Sequence, residues 1–232
     1  MELGIVPQLP FLLACVNKTI ALGVVVKYNN GCLDSLSIAE LFDLQKPILP
    51  VEFGFTSDDY TVPDLMLFRA QYLRFSFPIL SEVNIKVLLD LIYTHIGEPA
   101  TLEVMAGKGW LSYWLKSWGL NIIATDNRSW SKHFDYSSLP IPVEDISAVV
   151  AIEKYPVDLV LLSWPYMDSS AYDCLQTMKL GQYLLYIGED RGGCTANDAF
   201  FDYVNSHCEV VDSVGFESFP GLYDHPMLIR KV

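Results

Sequence analysis

Basic residues are scarce in this chain. Its 232 residues contain 15 lysines and arginines against 28 aspartates and glutamates, which gives a formal net charge of -13 at pH 7. Proteins that hold the phosphate backbone of nucleic acids normally present a basic surface. The charge balance therefore argues against extended nucleic-acid binding, although a net value leaves room for a local basic groove.

Metal-binding and disulfide patterns are missing as well. The five cysteines are widely spaced and form no CxxC pair, and none of the four histidines stands at metal-ligand spacing from another His or Cys. Zinc ribbons and disulfide-stapled scaffolds need such spacing. The sequence thus predicts no metal site, and unpaired cysteines favour a reducing, cytoplasmic location.

No uninterrupted apolar run is long enough to cross a membrane. Residues 1–26 are apolar, but Glu2 stands where a signal peptide carries positive charge, and Pro7 and Lys18 interrupt the run. We therefore expect neither a signal peptide nor a membrane span. The segment is interpreted as buried strand or short helix, with residues 19–28 as a strand candidate.

Apolar residues are plentiful. They make up 51% of the chain, which is enough for a sizeable core. Residues 1–80 show poor periodicity and are interpreted as a mixed N-terminal cap. From Ser81, a plausible helix N-cap, apolar residues recur at helical spacing. The sequence therefore predicts a cap over residues 1–80 and an α/β core over residues 81–232.

Strands and helices alternate through the core. The predicted strands are 101–105, 121–125, 140–143, 157–162, 183–187, 209–214 and 227–232, and the predicted helices between them are 110–118, 146–155, 171–178 and 198–205. Apolar strands joined by helical crossovers imply a mostly parallel sheet with helices on both faces. We expect a Rossmann-like, seven-stranded sheet closed by an antiparallel pair.

The sharpest motif is a strand that enters a glycine turn and then a helix. It contains Glu103, Met105, Gly107 and Gly109. Glycines let the backbone approach a ligand, and the helix start offers free N–H groups. Asp126 is expected at the exposed end of the next strand, where a carboxylate can accept hydrogen bonds from ribose hydroxyls.

This pattern resembles the first motif and second-strand acid of class I S-adenosylmethionine-dependent methyltransferases, and the resemblance extends over residues 81–232. It implies S-adenosylmethionine as cofactor. Glu103 would orient its methionine end, Gly107 and Gly109 would pass close beneath it, and Asp126 would hold its ribose.

The resemblance also implies an acid near the adenine amino group, for which Asp145 is the candidate and Glu144 the competitor. Met105 is a departure, because the family usually has glycine there, and a side chain narrows the turn. An NAD-dependent enzyme is a weaker alternative, because its fingerprint requires a third glycine where Ser112 stands.

Two loops after later strands are candidates for the acceptor side. Residues 163–166, Ser-Trp-Pro-Tyr, resemble the [Asp/Asn/Ser]-Pro-Pro-[Tyr/Phe] loop of amino methyltransferases, with Trp164 replacing the first proline. The resemblance implies that Ser163 accepts hydrogen bonds from an amino group and also meets the cofactor, while Tyr166 stacks on a planar acceptor. A rigid loop whose aromatics only fill space is the open alternative.

In the second loop, Glu189 is a candidate base or charge partner for an amine, with a salt bridge to Arg191 as the structural alternative. Thr195 with Asp198 fits a helix-capping pattern. Taken together, the sequence predicts a methyltransferase and leaves its acceptor open among a small molecule, a protein side chain and a nucleobase amino group. The Ser-Trp-Pro-Tyr loop favours a nitrogen atom, and the acidic charge disfavours nucleic acid. A cofactor-binding interaction module without catalysis is the main alternative.

Overall fold

A computed structural model describes residues 28–29, 32–33, 69, 72–73, 75–130, 136–219 and 221–232. Strands β1 (Tyr28–Asn29) and β2 (Cys32–Leu33) pair antiparallel in a short hairpin. The expected cap over residues 1–80 and the strand candidate at 19–28 lie almost entirely outside the described residues.

A seven-stranded sheet forms the core. Its strands are β3 (Thr101–Val104), β4 (Ile122–Asp126), β5 (Val143–Asp145), β6 (Leu159–Ser163), β7 (Tyr183–Ile187), β8 (Cys208–Ser213) and β9 (Met227–Lys231). They lie in the order β5-β4-β3-β6-β7-β9-β8. Strands β3 to β7 are parallel, whereas β9 runs antiparallel to both β7 and β8. The predicted Rossmann-like fold with its closing antiparallel pair is confirmed.

Five helices in the described core connect or flank these strands. They are α1 (Glu82–His95), α2 (Trp110–Ser117), α3 (Ala148–Lys154), α4 (Ser170–Thr177) and α5 (Asp198–His207). Helix α1 begins as predicted, since the Ser81 hydroxyl accepts a hydrogen bond of 3.0 Å from the Asn84 N–H. Among the described helices, none has the length and apolar character needed to cross a membrane.

Alternate residues of β6 show how both faces of the sheet are covered. Leu159 and Leu161 pack in a cluster with α1 and α2, whereas Val160 and Leu162 pack in a second cluster with α3, α4 and α5. Successive side chains of a strand point to opposite faces. A strand buried on both faces is therefore expected to be apolar, as β6 is from Leu159 to Leu162.

The third strand of the core differs from its predicted position at 140–143. It begins only at Val143, because Pro140 and Pro142 have no N–H to donate to a neighbouring strand. The register pairs Asp126 of β4 with Asp145 at the end of β5. The shift therefore places the two acids side by side at the same edge of the sheet.

The capping prediction at α5 was also wrong. Asn197 is the N-cap, accepting a hydrogen bond from the Phe200 N–H at 3.0 Å. The Thr195 hydroxyl is already engaged by the Tyr186 hydroxyl at 2.7 Å and the Glu189 N–H at 2.8 Å. Thr195 thus ties a loop together and does not start the helix.

The order of the strands decides where a ligand can bind. Strand β3 has β4 on one side and β6 on the other, so the connections that leave these neighbours run in opposite directions. In open α/β sheets, ligands bind outside the carboxyl ends of the strands at such a reversal. A ligand site is therefore expected at the carboxyl ends of β3, β4 and β6, near which the predicted site residues lie in the sequence.

Candidate cofactor and acceptor site

Two cavities adjoin at the carboxyl ends of β3, β4 and β6. The first has a volume of about 50 Å³ and the second of about 300 Å³. Met105, Asp126 and Tyr166 line both cavities and so form the boundary between them. The first cavity also contains Glu103, Gly107 and Ser163, and the second is completed by residues 147–149 after β5 and by the start of α4.

Glu103 brings a buried carboxyl to the first cavity. It is 2% exposed, and one of its oxygens accepts hydrogen bonds from the Ser112 N–H at 3.1 Å and from the Ser112 hydroxyl. Burial raises the pKa of Glu103 to about 8, against the lowering effect of the two Ser112 hydrogen bonds, and the nearby Asp126 raises it further. A cationic group bound beside Glu103 would favour its ionised form.

Asp126 is not at an exposed strand end, as we had expected, but is only 9% exposed. Its carboxylate accepts hydrogen bonds from the Gly107 N–H at 2.8 Å and the Arg128 N–H at 2.6 Å, and from the Tyr136 hydroxyl at 3.2 Å. The residue is buried because it holds the glycine turn (residues 105–109) to the end of β4. The same position makes it a wall of both cavities.

The two glycines of the turn have different physical roles. Gly107 has φ +56° and lines the first cavity, and a Cβ placed there would meet no atom within 4 Å. Gly109 has φ +80°, and its Cβ would lie 2.7 Å from Val143 Cγ2. Gly107 therefore leaves room for a ligand, whereas Gly109 allows α2 to begin close to β5.

Met105 adopts the left-handed backbone that the turn requires, with φ +57°. A residue with a Cβ is destabilised in this conformation by about 1–2 kcal/mol. Met105 nevertheless packs against the cluster formed by α3, α4 and α5, and it lines both cavities. Met105 and Asp126 therefore share the boundary between the two cavities.

This geometry predicts an unusual ranking of two variants at position 105. Met105→Gly should be more stable than Met105→Ala by up to about 1.5 kcal/mol, because glycine relieves about 1–2 kcal/mol of left-handed strain but loses about 0.4–1 kcal/mol through the greater flexibility of its unfolded chain. In ordinary conformations alanine is the more stable residue by about 0.4–1 kcal/mol. Chemical denaturation of the two variants measures the difference, and an alanine variant that is the more stable would contradict the strained turn.

The loop at residues 163–166 has a backbone that two prolines cannot adopt. Trp164 has φ +49°, whereas the ring of proline fixes φ near −65°. Its backbone N–H donates to the Ile187 carbonyl at 2.8 Å, and its indole N–H donates to Asp224 Oδ1 at 2.6 Å. The likeness to Pro-Pro loops therefore stops at Trp164, although Ser163 and Tyr166 both line the first cavity.

Four aromatic rings from three parts of the chain form what we call the aromatic wall of the first cavity: Phe77, Trp130, Trp164 and Tyr166. Phe77 stacks on Trp164 with ring centroids 5.5 Å apart, Trp130 stacks on Tyr166 at 5.0 Å, and Phe77 meets Trp130 edge-on at 6.2 Å. Desolvation raises the pKa of Tyr166 to about 12, so its phenol stays neutral.

Ser163 presents an unpaired polar atom at this wall. Its hydroxyl oxygen is buried and has no hydrogen-bond partner among the described residues. Buried polar groups are nearly always paired, and exceptions often mark ligand sites. The Ser163 hydroxyl is therefore available to a molecule in the first cavity.

The two predicted acids at the end of β5 lie outside both cavities. Asp145 forms an ion pair with Arg128 Nε at 3.7 Å. Glu144 pairs with Lys154 Nζ at 2.5 Å and accepts a hydrogen bond from the Tyr155 hydroxyl. The structure thus brings Asp145 to the correct edge of the sheet without placing it in the wall of the second cavity.

Glu189 also lies outside the two cavities. Its carboxylate accepts backbone hydrogen bonds from Cys194 at 2.6 Å and from Tyr223 at 3.2 Å. The expected alternative, a salt bridge to Arg191, is wrong, because Arg191 pairs with Asp198 and Asp202. Glu189 therefore joins the loop after β7 to the loop before β9.

Several site residues were missed by sequence reasoning. Trp130, Tyr136 and Phe77 line the first cavity. Asp224 is a buried acid that accepts a hydrogen bond from Trp164, which also lines that cavity. None belongs to a motif, and each reaches the site only through the fold. The clustering of aromatics near Trp130 was the only available signal. Within the described residues, no three His, Cys, Asp or Glu side chains form a metal-binding group.

Solved structures with a similar fold include the O-methyltransferase from Bacillus cereus in complex with SAH, at 17% identity and a TM-score of 0.48, covering 73% of this chain and 90% of that one. The 1,6-didemethyltoxoflavin-N1-methyltransferase from Burkholderia thailandensis, bound to S-adenosylhomocysteine, is similar at 16% identity and a TM-score of 0.45, with 65% and 79% covered. TehB from Haemophilus influenzae is similar at 14% identity and a TM-score of 0.44, with 63% of this chain covered, and the chain spans only 62% of its length. No family model and no curated protein matches the sequence. At these identities the likeness concerns the fold alone.

Proposed function

We propose that this protein is an S-adenosylmethionine-dependent methyltransferase. The observation that carries the proposal is the position of Asp126, which lines both cavities at the reversal of the sheet while Glu103 lies in the first of them. A carboxylate at the end of the second core strand suits a ribose diol. The buried carboxyl of Glu103 suits the positively charged methionine end.

The residues present fit this cofactor. The second cavity, with about 300 Å³ beside Asp126, is where we place the adenosine moiety. A carboxylate offers about four acceptor positions, of which Asp126 uses three. The contact with the Tyr136 hydroxyl is the longest, at 3.2 Å, and we expect a ribose hydroxyl to replace it. Ser163, whose buried hydroxyl has no partner among the described residues, lines the first cavity and not the second.

When bound, S-adenosylmethionine supplies a methyl group already activated on a sulfonium. The residues of the chain then have to orient the acceptor and exclude water. Ser163 can accept a hydrogen bond from an amino group, and the aromatic wall covers the first cavity with apolar ring faces. A nitrogen atom of a small molecule or protein is therefore the acceptor we propose, in a cytoplasmic setting.

Ligand screening by thermal shift tests the cofactor directly. S-adenosylmethionine and S-adenosylhomocysteine should raise the melting temperature, since a bound ligand stabilises by about 2.7 kcal/mol at a hundredfold excess over Kd. NAD and NADP should have no effect, because the position of their third glycine holds Ser112, which is buried and bonded to Glu103. A shift with NAD alone would replace the proposal with a dehydrogenase.

Two variants test the acceptor side. Ser163→Ala and Tyr166→Ala should lose much more transfer of tritiated methyl into a cell extract than affinity for S-adenosylhomocysteine, because both residues line the first cavity, where we place the acceptor. Tyr93→Ala, on the outer part of α1 and 37% exposed, is the matched control. If both site variants melt early and bind the cofactor poorly, the loop is scaffold and the case for a nitrogen acceptor is lost.

A cofactor-binding module without catalysis is the second candidate. The first cavity holds only about 50 Å³, far less than the roughly 300–1,000 Å³ of usual ligand sites, because the aromatic wall fills it. Transfer requires these rings to move apart. Calorimetry that shows cofactor binding, combined with no transfer by the wild-type protein, would favour the module.

A further inference from the structure

We infer that Asp224 is a positioning residue, which fixes the loop at residues 163–166 by holding the indole of Trp164. The inference rests on the proposed function, since it assigns Asp224 to the acceptor side of the same site. Asp224 lies in the connection between β8 and β9, 60 residues from Trp164 in the chain. Neither the glycine turn nor the predicted acceptor loop includes it.

The contact between the two residues has the features of a specific anchor. Asp224 is 6% exposed, and its Oδ1 accepts the indole N–H of Trp164 at 2.6 Å. Its own N–H donates to the Ser218 hydroxyl at 3.0 Å, which fixes the carboxylate on its loop. Burying a carboxyl group is costly unless it is hydrogen-bonded, and the Oδ2 of Asp224 has no partner among the described residues, so the bond from the Trp164 indole to Oδ1 is favoured.

Trp164 needs an anchor because its backbone is strained. A φ of +49° is unfavourable for a residue with a large side chain, and such strain persists only where surrounding contacts determine the conformation. Three contacts do so here: the hydrogen bond to Asp224, the stack on Phe77, and the guanidinium of Arg69, which lies 5.7 Å from the indole ring.

The anchor extends to the rest of the aromatic wall. Trp164 stacks on Phe77, Phe77 meets Trp130, and Trp130 stacks on Tyr166. Ser163 precedes Trp164 directly, and its free hydroxyl faces the first cavity. Asp224 reaches this wall through its hydrogen bond to the indole of Trp164, so we expect its effect on the other rings to pass through the indole.

Burial and the neighbouring polar groups together shift the pKa of Asp224. Desolvation raises the pKa of Asp224 to about 6, with the Trp164 and Ser218 hydrogen bonds acting against it. Glu189 raises the pKa further and Arg69 lowers it. Oδ1 can accept the indole N–H whether or not the carboxyl group is ionised, so the anchor does not require the charge of Asp224.

The test follows the indole N–H resonance of Trp130 by ¹⁵N NMR in the intact protein. Trp130 is joined to Trp164 through Phe77, so its resonance reports on the wall. It should move in Asp224→Ala and in Trp164→Phe, and Asp224→Asn should restore the wild-type position because the amide oxygen can still accept from the indole. The double variant D224A/W164F should match W164F alone.

Cofactor binding separates this inference from the proposed function. The affinity of Asp224→Ala for S-adenosylhomocysteine should stay within about threefold of wild type, which is under 1 kcal/mol. Its methyl transfer should fall roughly tenfold, and Asp224→Asn should retain transfer. An unmoved Trp130 resonance in D224A, or D224A and W164F shifts that add, would overturn the positioning role. Failure of the wild-type protein to bind S-adenosylhomocysteine would instead overturn the methyltransferase proposal.

Discussion

Replacing Glu103 with glutamine should make the protein more stable near neutral pH and above, while weakening its affinity for S-adenosylmethionine. The carboxyl is 2% exposed, and its pKa is raised to about 8 by burial. Glutamine keeps a carbonyl acceptor for the Ser112 N–H and adds a donor for the Ser112 hydroxyl. The variant therefore removes a costly ionisation with little change in packing.

The pH dependence has a definite sign. Below the ordinary pKa of 4.5, Glu103 is protonated in both the folded and unfolded states, so the variant should gain little. Between pH 4.5 and about 8 the unfolded chain ionises first, and the free energy of unfolding falls by about 1.4 kcal/mol per pH unit. Above about pH 8 both states are ionised and the loss is complete.

Melting curves of wild type and Glu103→Gln between pH 4 and 9 measure this difference. By about pH 8 the wild type has lost about 4–5 kcal/mol, so we expect the variant to melt roughly 10–20 °C higher, at about 2–4 °C for each kcal/mol. Glu209→Gln is the matched control, because Glu209 lies on the exposed side of β8. A Glu103→Gln curve parallel to that of wild type would show that the buried carboxyl is not protonated in the folded protein.

The same variant tests the role of Glu103 in binding. If the ionised carboxylate meets the positively charged methionine end of the cofactor, Glu103→Gln should lose roughly one to two decades in affinity, the equivalent of about 1.5–3 kcal/mol. Stability and binding would then change in opposite directions, which is common at functional sites. A variant that is both more stable and fully able to bind would remove Glu103 from the cofactor site.

Replacing Asp126 with alanine should have the largest effect on cofactor binding. Losing its charge-assisted hydrogen bonds to a ribose costs about 1.5–3 kcal/mol, or roughly one to two decades in affinity. The structure adds a second effect, because Asp126 also holds the N–H groups of Gly107 and Arg128. We therefore expect Asp126→Ala to melt earlier as well, by about 1–3 kcal/mol of unfolding free energy.

Asparagine at the same position separates the two effects. Asp126→Asn keeps one acceptor oxygen for the turn, so it should melt closer to wild type than Asp126→Ala while still binding the cofactor poorly. Calorimetry with S-adenosylhomocysteine and thermal melts provide both readouts, with Asp90→Ala on the exposed face of α1 as the control. Undiminished affinity in the asparagine variant would exclude a ribose contact through the charge of Asp126.

Local sequence patterns were sufficient for the fold of the core. Short apolar runs between segments of helical spacing predicted every strand of the large sheet to within a few residues, and Ser81 as N-cap predicted the start of α1. The third strand was the poorest, because the apolar run at 140–143 hides two prolines that cannot take part in the ladder. Such patterns succeed where burial on a sheet or helix face depends on neighbours close in sequence.

Part of the candidate site could also be predicted from the sequence. Glu103, Gly107 and Asp126 were predicted from one strand, one turn and the end of the next strand, and all three line the first cavity. Parallel strands end at the same edge of a sheet, so neighbouring strand ends are close in space whatever the rest of the chain does. Ser163 and Tyr166 reached the same cavity for the same reason.

The sequence alone therefore determined the elements, their α/β order and the acids and glycines at adjoining strand ends, because these depend on periodicity and on neighbouring strands. Only the tertiary structure decided which charges are buried and which side chains meet across long separations. It buried Asp126 under the turn, tied Glu189 to backbone N–H groups, and joined Asp224 to Trp164 across 60 residues. Such contacts depend on how the loops pack after the sheet has formed. A local sequence pattern does not indicate which residues from distant loops will meet.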